Sequence, residues 1–214
     1  MSNYKDKALI LGCGPSLSVI NKDLVEEFSK THIIATIKQS YLKFGEYSDL
    51  HFFNCNNITP YIKHKAKFIY CSPSKSCWCP VDYFFNISEV NKKLSDFQDL
   101  DEFFKASNIG KFSGPGIMFE VVLPFVYNLG VTEIVTAGWD YYEPEKKIEV
   151  AHFYNESERM RFVNPAYDPY DGENEESISN SKAVNDYFVS KGIKLFCFES
   201  DDCYLDNSIA RIKL

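Results

Sequence analysis

No apolar stretch in this 214-residue chain approaches the ~20 residues that a membrane-spanning helix needs. The first residues, MSNYKDK, lack the apolar segment of a signal peptide. The expectation is a chain that is neither secreted nor transmembrane, placed in the cytoplasm, free or peripheral to the inner face of the membrane. Paired Cys-x-x-Cys spacing is also missing. The seven cysteines are the CWC of Cys77 and Cys79 and the isolated Cys13, Cys55, Cys71, Cys197 and Cys203, which excludes zinc-ribbon spacing and points to reduced thiols. Several end apolar runs, where a thiol behaves as a small hydrophobe. There is no basic stripe: 23 Lys and Arg stand against 30 Asp and Glu, a net charge of −7. Gripping a nucleic-acid backbone draws most of its affinity from phosphate neutralisation, so such a partner is disfavoured, though not excluded. The densest basic stretch, YIKHKAKF from Tyr61 to Phe68, reads as a solvated turn before a strand. Internal repeats and low-complexity tracts are absent.

What is present is alternation. The runs KALILG, THIIAT, SDLHFFN, AKFIYCS, TEIVTAG and IKLFCF read as strands. Most are continuous rather than alternating, as in strands covered on both faces. Between them LSVINKDLVEEFSK, KQSYLKFGEY, LSDFQDLDEFFKAS, PGIMFEVVLPFVYNLG and NSKAVNDYFVSKG carry apolar residues at helical spacing, and Gly130 and Gly192 stand where a left-handed C-cap belongs. Strands and helices in this order predict one doubly wound α/β domain over 1–214, with a mainly parallel sheet and helices on both faces. One stretch breaks the rhythm. Residues 141–180 are polar, acidic and rich in tyrosine, with Tyr154, Arg159, Arg161, Tyr167 and Tyr170; a connection of that length reads as a lid. The 18 Phe and 14 Tyr of the chain are split between core runs and such loops.

In an open parallel sheet, ligands lie beyond the carboxyl ends of the strands. The candidate positions are therefore Gly12–Ser16, Lys38 and Gln39, Asn54–Asn57, Ser72–Ser74, Ser113–Gly116 and Gly138–Tyr142. Gly12 and Gly14 permit close backbone approach, Pro15 fixes the turn, and Ser16 is a natural N-cap for the following helix, whose free amides favour an anion. The turn Gly-Cys-Gly-Pro-Ser lacks the third glycine of the dinucleotide fingerprint and the Gly-Lys-Ser/Thr of a P-loop.

Taken in order, LILGCGPSL, IKQSYLKFG, LHFFNCNN, FIYCSPS, FSGPGIMFEVVLPFVYNLGVTEIVTAGWDYY and SNSKAVNDYFVSKGIKLFCFESDD resemble the bacterial sialyltransferases of glycosyltransferase family 42. The resemblance covers most of the chain and is weakest from Lys75 to Asn108 and in the lid. A more distant one is to the 6-hydroxymethylpterin pyrophosphokinase-like proteins, which share the Gly-x-Gly-Pro-Ser turn and the Gly-x-Asp strand end. These families imply a Rossmann-type domain binding a nucleotide at the strand ends. In the sialyltransferases the donor is a cytidine-monophosphate sugar, no metal is needed, and a lid closes over the sugar. The resemblance implies that Ser113 and Gly114 face the donor, that Tyr142 stabilises the leaving phosphate, and that Asn54 ends the third strand beside the donor. Cys13 and Lys38 stand where the family has asparagine, and Lys38 suits a more negatively charged donor. Asn180 stands where the family has its catalytic histidine, and a neutral amide cannot take a proton from an acceptor hydroxyl.

A replacement base is sought among Asp140, His152, Glu175 and Glu176, with Asp140 the most firmly placed by its strand end; His51 and His64 read as structural or exposed. Glu199–Asp202, ESDD, reads as a solvated turn. The leading expectation is a metal-independent, inverting, sialyltransferase-like glycosyltransferase without a cofactor. Its partners would be a nucleotide-sugar donor and a hydroxyl acceptor on a glycan, a lipid-linked sugar or a modified nucleobase; a homo-oligomer is compatible with it. The alternatives are a Mg²⁺-dependent pyrophosphokinase or phosphotransferase on a small heterocycle, and a non-catalytic nucleotide-binding relative.

Overall fold

The computed structural model describes residues 5–54, 61–77, 79–87, 94–96, 99–111, 116–140, 173–200, 203 and 205–213. Its centre is an eight-stranded sheet in which every pairing is parallel. The strands are β1 (Lys7–Leu11), β2 (His32–Ile37), β3 (Leu50–Asn54), β4 (Lys67–Ser72), β5 (Tyr83–Asn86), β6 (Glu133–Ala137), β7 (Lys194–Phe198) and β8 (Ala210–Ile212). Their spatial order is β5-β4-β3-β2-β1-β6-β7-β8, so the winding reverses between β1 and β6. This is a Rossmann-like α/β fold.

The continuous apolar runs have the expected cause. Ala8 and Ile10 of β1 face one core together with Phe103, Val126, Val184 and Phe188, while Leu9 and Leu11 face the other with Leu17, Val25 and Phe44. Each such side chain taken fully from water contributes ~1.5–3 kcal/mol. The helices responsible are α1 (Lys22–Ser29) and α2 (Ser40–Phe44) on the second face, and α3 (Leu100–Phe103), α4 (Leu123–Asn128) and α5 (Glu173–Ser190) on the first. Gly130 and Gly192 close α4 and α5 with φ of +77° and +74°. β5 and β8, which sequence periodicity does not mark, are the sheet's two short edges.

Three helical expectations are corrected. The run after Gly14 is not one helix capped by Ser16: a 3₁₀ turn spans Pro15–Val19, Ile20 returns to extended backbone, and α1 starts afresh with Asn21 Oδ1 accepting from Leu24 N at 2.8 Å. Asparagine is among the best N-caps, and here it outcompetes continuation of the turn. Among the described residues of the stretch 94–108 the helix is α3 alone, flanked by 3₁₀ turns; Asn108 Nδ2 donates to Glu102 O at 2.7 Å, taking up a carbonyl that a longer helix would use. The helix before β7 begins at Glu173 rather than near Ser181, so the last eight residues of the expected lid, 173–180, are helix; residues 141–172 lie outside the described ones.

Candidate functional site

The winding reverses between β1 and β6, where an open parallel sheet is expected to offer a crevice, and here the two turns that leave those strands are joined to each other. Gly12 N donates to Ala137 O at 2.7 Å and Gly14 N to Gly138 O at 2.8 Å. A Cβ on Gly12 would lie 2.2 Å from Gly138 O, and one on Gly14 would lie 2.4 Å from Asp140 Oδ2. Gly138 has a φ of +69°. The glycines read from sequence as room for a ligand thus serve first to bring two pieces of this chain into contact.

Ser16 completes the joint. Its Oγ accepts from Gly138 N at 2.9 Å and donates to Asp140 Oδ1 at 2.6 Å, while its backbone N–H donates to Asp140 Oδ2 at 2.7 Å. The anion held by this turn is the chain's own carboxylate. A phosphate seated on the Ser16 amide would have to displace Asp140, and a five-residue 3₁₀ turn supplies little dipole in return. Asp140 keeps partial exposure, and Trp139 before it is buried edge-on against Phe119, with ring centroids 5.4 Å apart. Each carboxylate oxygen accepts one hydrogen bond from Ser16, which fixes the plane of the carboxylate.

On the other side of β1 the end of β2 forms a second turn. Lys38 is the one described non-glycine residue with left-handed backbone, φ +50°, and its N–H donates to Phe52 O at 2.8 Å. The turn is fixed from beneath by buried Ser40, whose Oγ accepts from Ile37 N at 2.8 Å and faces Leu11 O at 2.7 Å and Ile37 O at 2.9 Å. Cys13 bridges the two turns, its thiol donating to Ile37 O at 3.1 Å. Burial pushes that thiol up, only partly offset by the nearby Lys38 charge, so it is a protonated structural contact. Gln39 is buried and Asn54 is half-buried at the end of β3.

Asn180 lies on the buried face of α5 with Ser177 and Ser181, a polar half-face that turns apolar at Val184 and Phe188. Because a crossover helix runs back against its strands, this polar half lies toward their carboxyl ends. Ser181 Oγ donates to Ile178 O at 2.6 Å and accepts from Asp206 N at 3.2 Å, but Asn180 Nδ2 is buried without a partner.

The structure therefore groups Gly12, Gly14, Pro15, Ser16 and Asp140 in one joint and places Cys13, Lys38 and Gln39 next to it. Ser113, Gly114, Tyr142 and His152 lie outside the described residues. The exit of the segment that carries Ser113 is unusual: after Gly116, φ +98°, the chain makes a π turn over Met118–Val122, with Leu123 N donating to Met118 O. Pro124 has no N–H for the Glu120 carbonyl, which accepts instead from Gly110 N at 2.9 Å. Such bulges frequently accompany functional sites. Of the other histidines, His64 is exposed and His51 is wholly buried. The lysines of the Tyr61–Phe68 stretch face acids: Lys63 and Lys67 pair with Asp82, and Lys65 with Asp49. Among the described residues no group of three His, Cys, Asp or Glu could hold a metal ion, and no helix is long and apolar enough to cross a membrane. Sequence reasoning missed Ser40 and the contact of Arg211 with Cys197 and Cys203; pairing of β7 with an unmarked strand was the signal it lacked. No family model, curated protein or solved structure matches this chain.

Proposed function

We propose that the chain is a sialyltransferase-like glycosyltransferase that moves a sugar from a nucleotide donor to an acceptor hydroxyl, with inversion and without a metal. The observation that carries the reading is the position of Asp140: a partly exposed carboxylate at the reversal of winding, clamped by Ser16 through both of its oxygens in a fixed orientation. In this reading Asp140 receives a hydroxyl, either an acceptor hydroxyl whose proton it takes or a donor hydroxyl that it orients. Ser16 becomes a positioning residue rather than a phosphate ligand. The phosphate is assigned to the Lys38 side, with Ser113 and Gly114 as further donor contacts and Tyr142 and His152 as partners in the chemistry. Gln39, Asn54 and Asn180 line the donor.

A second reading, a non-catalytic nucleotide-binding protein, draws on the same clamp, since a carboxylate engaged by Ser16 also has a purely structural use. The test is a thermal-shift panel of CMP-, UDP- and GDP-sugars and ATP, with and without Mg²⁺. Ligand at 100 times its dissociation constant stabilises by about 2.7 kcal/mol. One sugar nucleotide stabilising without metal, and losing turnover in Asp140→Asn while still binding, is the expected result. Binding without turnover by the wild type would favour the second reading, and a response to ATP with Mg²⁺ alone would favour a phosphotransferase.

A further inference from the structure

Cys197 on β7 and Arg211 on β8 are register partners across the last strand pair. Arg211 Nη1 donates to Cys197 Sγ and, at 3.1 Å, to Cys203 Sγ, while Nη2 donates to Leu205 O at 2.7 Å. Both sulfurs are thus gathered on one nitrogen. Among the described residues the guanidinium makes no ion pair with a carboxylate. A guanidinium stays charged, and a neutral thiol is a poor acceptor for it. A negative charge on sulfur would make the better acceptor for it, and the nearby Asp206 carboxylate also feels the Arg211 charge.

Cys197 is buried, 2% exposed, and Cys203 is half-buried. The Cys203 hydrogen bond, together with the Arg211 charge, draws the Cys197 thiol down, and the same pairing pushes Cys203 up. Of the two sulfurs, Cys197 is thus the one on which negative charge is favoured and Cys203 the one that keeps its proton. Cys203 Sγ also lies 4.0 Å from Trp139 O, the residue before Asp140, and both sulfurs feel the Asp140 charge.

We propose that Cys197 and Cys203 are a reversible, peroxide-sensitive dithiol, with Arg211 holding the attacking sulfur and the resolving sulfur seated against the strand end that carries Asp140. The Cys197 thiolate attacks one oxygen of hydrogen peroxide; an S–O bond forms, the O–O bond breaks and hydroxide leaves. Cys203 sulfur then attacks the Cys197 sulfur; an S–S bond forms, the S–O bond breaks, and the departing hydroxide takes the Cys203 proton as water. Two electrons pass from the sulfurs to the peroxide. The product removes a negative charge from beside Asp140 and withdraws the Cys203 thiol from Trp139. That consequence for the site rests on the reading of Asp140 given above; the dithiol itself does not.

The experiment uses the reduced full chain, hydrogen peroxide, and differential alkylation read by mass spectrometry, with no nucleotide or acceptor present. Its result is therefore separate from the fate of the donor reading. Cys197 and Cys203 fall in one tryptic peptide, Leu195–Arg211. This peptide should lose two hydrogens and both alkylation sites before any other cysteine reacts, and dithiothreitol should restore them. Cys203→Ser should stop at a sulfenic acid on Cys197, captured by dimedone. Arg211→Gln should slow oxidation of Cys197 at least tenfold, with Arg211→Lys recovering part of the rate. Oxidation of Cys197 no faster than that of the other cysteines, no dimedone adduct in Cys203→Ser, or an unchanged rate in folded Arg211→Gln would each overturn the proposal. The wild-type measurement stands even where a variant fails to fold.

Discussion

The two ends of this sheet handle charge by different chemistry. At the amino ends of the strands, carboxylates meet lysines: Lys5 with Asp49 at 3.1 Å, Lys65 with Asp49 at 3.3 Å, and Lys7 with Glu133 at 3.2 Å. At the carboxyl ends, apart from the exposed edge pair of Lys213 with Glu199 at 3.5 Å, Asp140 accepts from the neutral Ser16, and Arg211 donates to sulfur. There too lies a buried amide nitrogen without a partner, on Asn180, and a lysine in left-handed backbone, Lys38. Lysine–carboxylate pairs at a wet edge are replaceable and weak. Orphaned buried nitrogens occur at both ends, on His32 and His51 as well as on Asn180; strained backbone is confined, among the described non-glycine residues, to Lys38 at the carboxyl end, and such strain persists where geometry is held for a ligand. The clamp on Asp140 and the left-handed backbone of Lys38 support the proposal that puts the site at the carboxyl end.

The largest effect expected is acid sensitivity centred near the amino end. His51, second residue of β3, is fully buried; its ring stacks on Phe53 at 5.1 Å and meets Tyr61 and Phe68 edge-on at 4.4 and 5.0 Å. Nδ1 lies 3.2 Å from Thr36 Oγ1, and Nε2 has no partner. Burial pushes the imidazole down to about 3. The unfolded chain takes up this proton near the ordinary value of 6.5 and the folded chain does not until about 3. Stability is therefore complete above that upper value and falls as pH drops through the window, by ~1.4 kcal/mol per unit. Over the whole window the sum is on the order of 5 kcal/mol. Urea unfolding at pH 7, 5.5 and 4 reads the slope, and His51→Phe should flatten most of it. An undiminished slope in that variant would place the proton elsewhere.

Next comes the joint at the working end. Gly12→Ala drives a methyl group into the Gly138 carbonyl, backbone against backbone, and should cost about 3 kcal/mol or more. Gly14→Ala meets first the Asp140 side chain, whose carboxylate can rotate away although its Cβ, 2.9 Å off, must shift with the backbone. It should unfold at a higher denaturant concentration than Gly12→Ala while losing the clamp on Asp140. Equal midpoints would mean that the two glycines do the same job.

How far was this visible beforehand? Strand–helix alternation marked six of the eight strands, because a strand covered on both faces writes a continuous apolar run. The edges β5 and β8 do not: YFFN is half-exposed and ARI carries one large aliphatic side chain, Ile212. Position after each strand brought Gly12, Ser16, Lys38 and Asp140 into view, because the sheet rule needs only strand ends. Their roles were less legible. Ser16 looked like an N-cap because serine before an apolar helical pattern usually is one; its bond to Asp140 spans 124 residues of sequence, which no local pattern encodes. The break at Asn21 was legible in principle from its capping preference, yet the apolar periodicity runs across it. Cys197, Cys203 and Arg211 converge only through the pairing of β7 with β8.

Smaller effects sharpen the contrast. Asp140→Asn leaves one oxygen for the two Ser16 donors, and should lower stability by about 1–2 kcal/mol while abolishing turnover in the proposed reaction. A structural aspartate would show only the first. Lys38→Gly releases the left-handed backbone, which is worth ~1 kcal/mol, and should raise the melting temperature while weakening any stabilisation by a sugar nucleotide. Gain in stability with undiminished ligand response would remove Lys38 from the site.

The smallest effect belongs to the amino end. Lys7→Ala breaks the ion pair with Glu133, whose carboxylate keeps His32 Nε2 at 3.5 Å. An exposed pair contributes between zero and ~1 kcal/mol and fades with salt. The variant should therefore match the wild type in its urea midpoint at high ionic strength, and any shift by a sugar nucleotide should be the same in both. The value of so small a change is that it tests separation. Lys7 and the joint at Gly12 sit at opposite ends of the same five-residue strand. An altered ligand response in Lys7→Ala would mean that β1 transmits the loss of an edge charge to the joint. The two ends would then be one mechanical unit rather than a scaffold and a site.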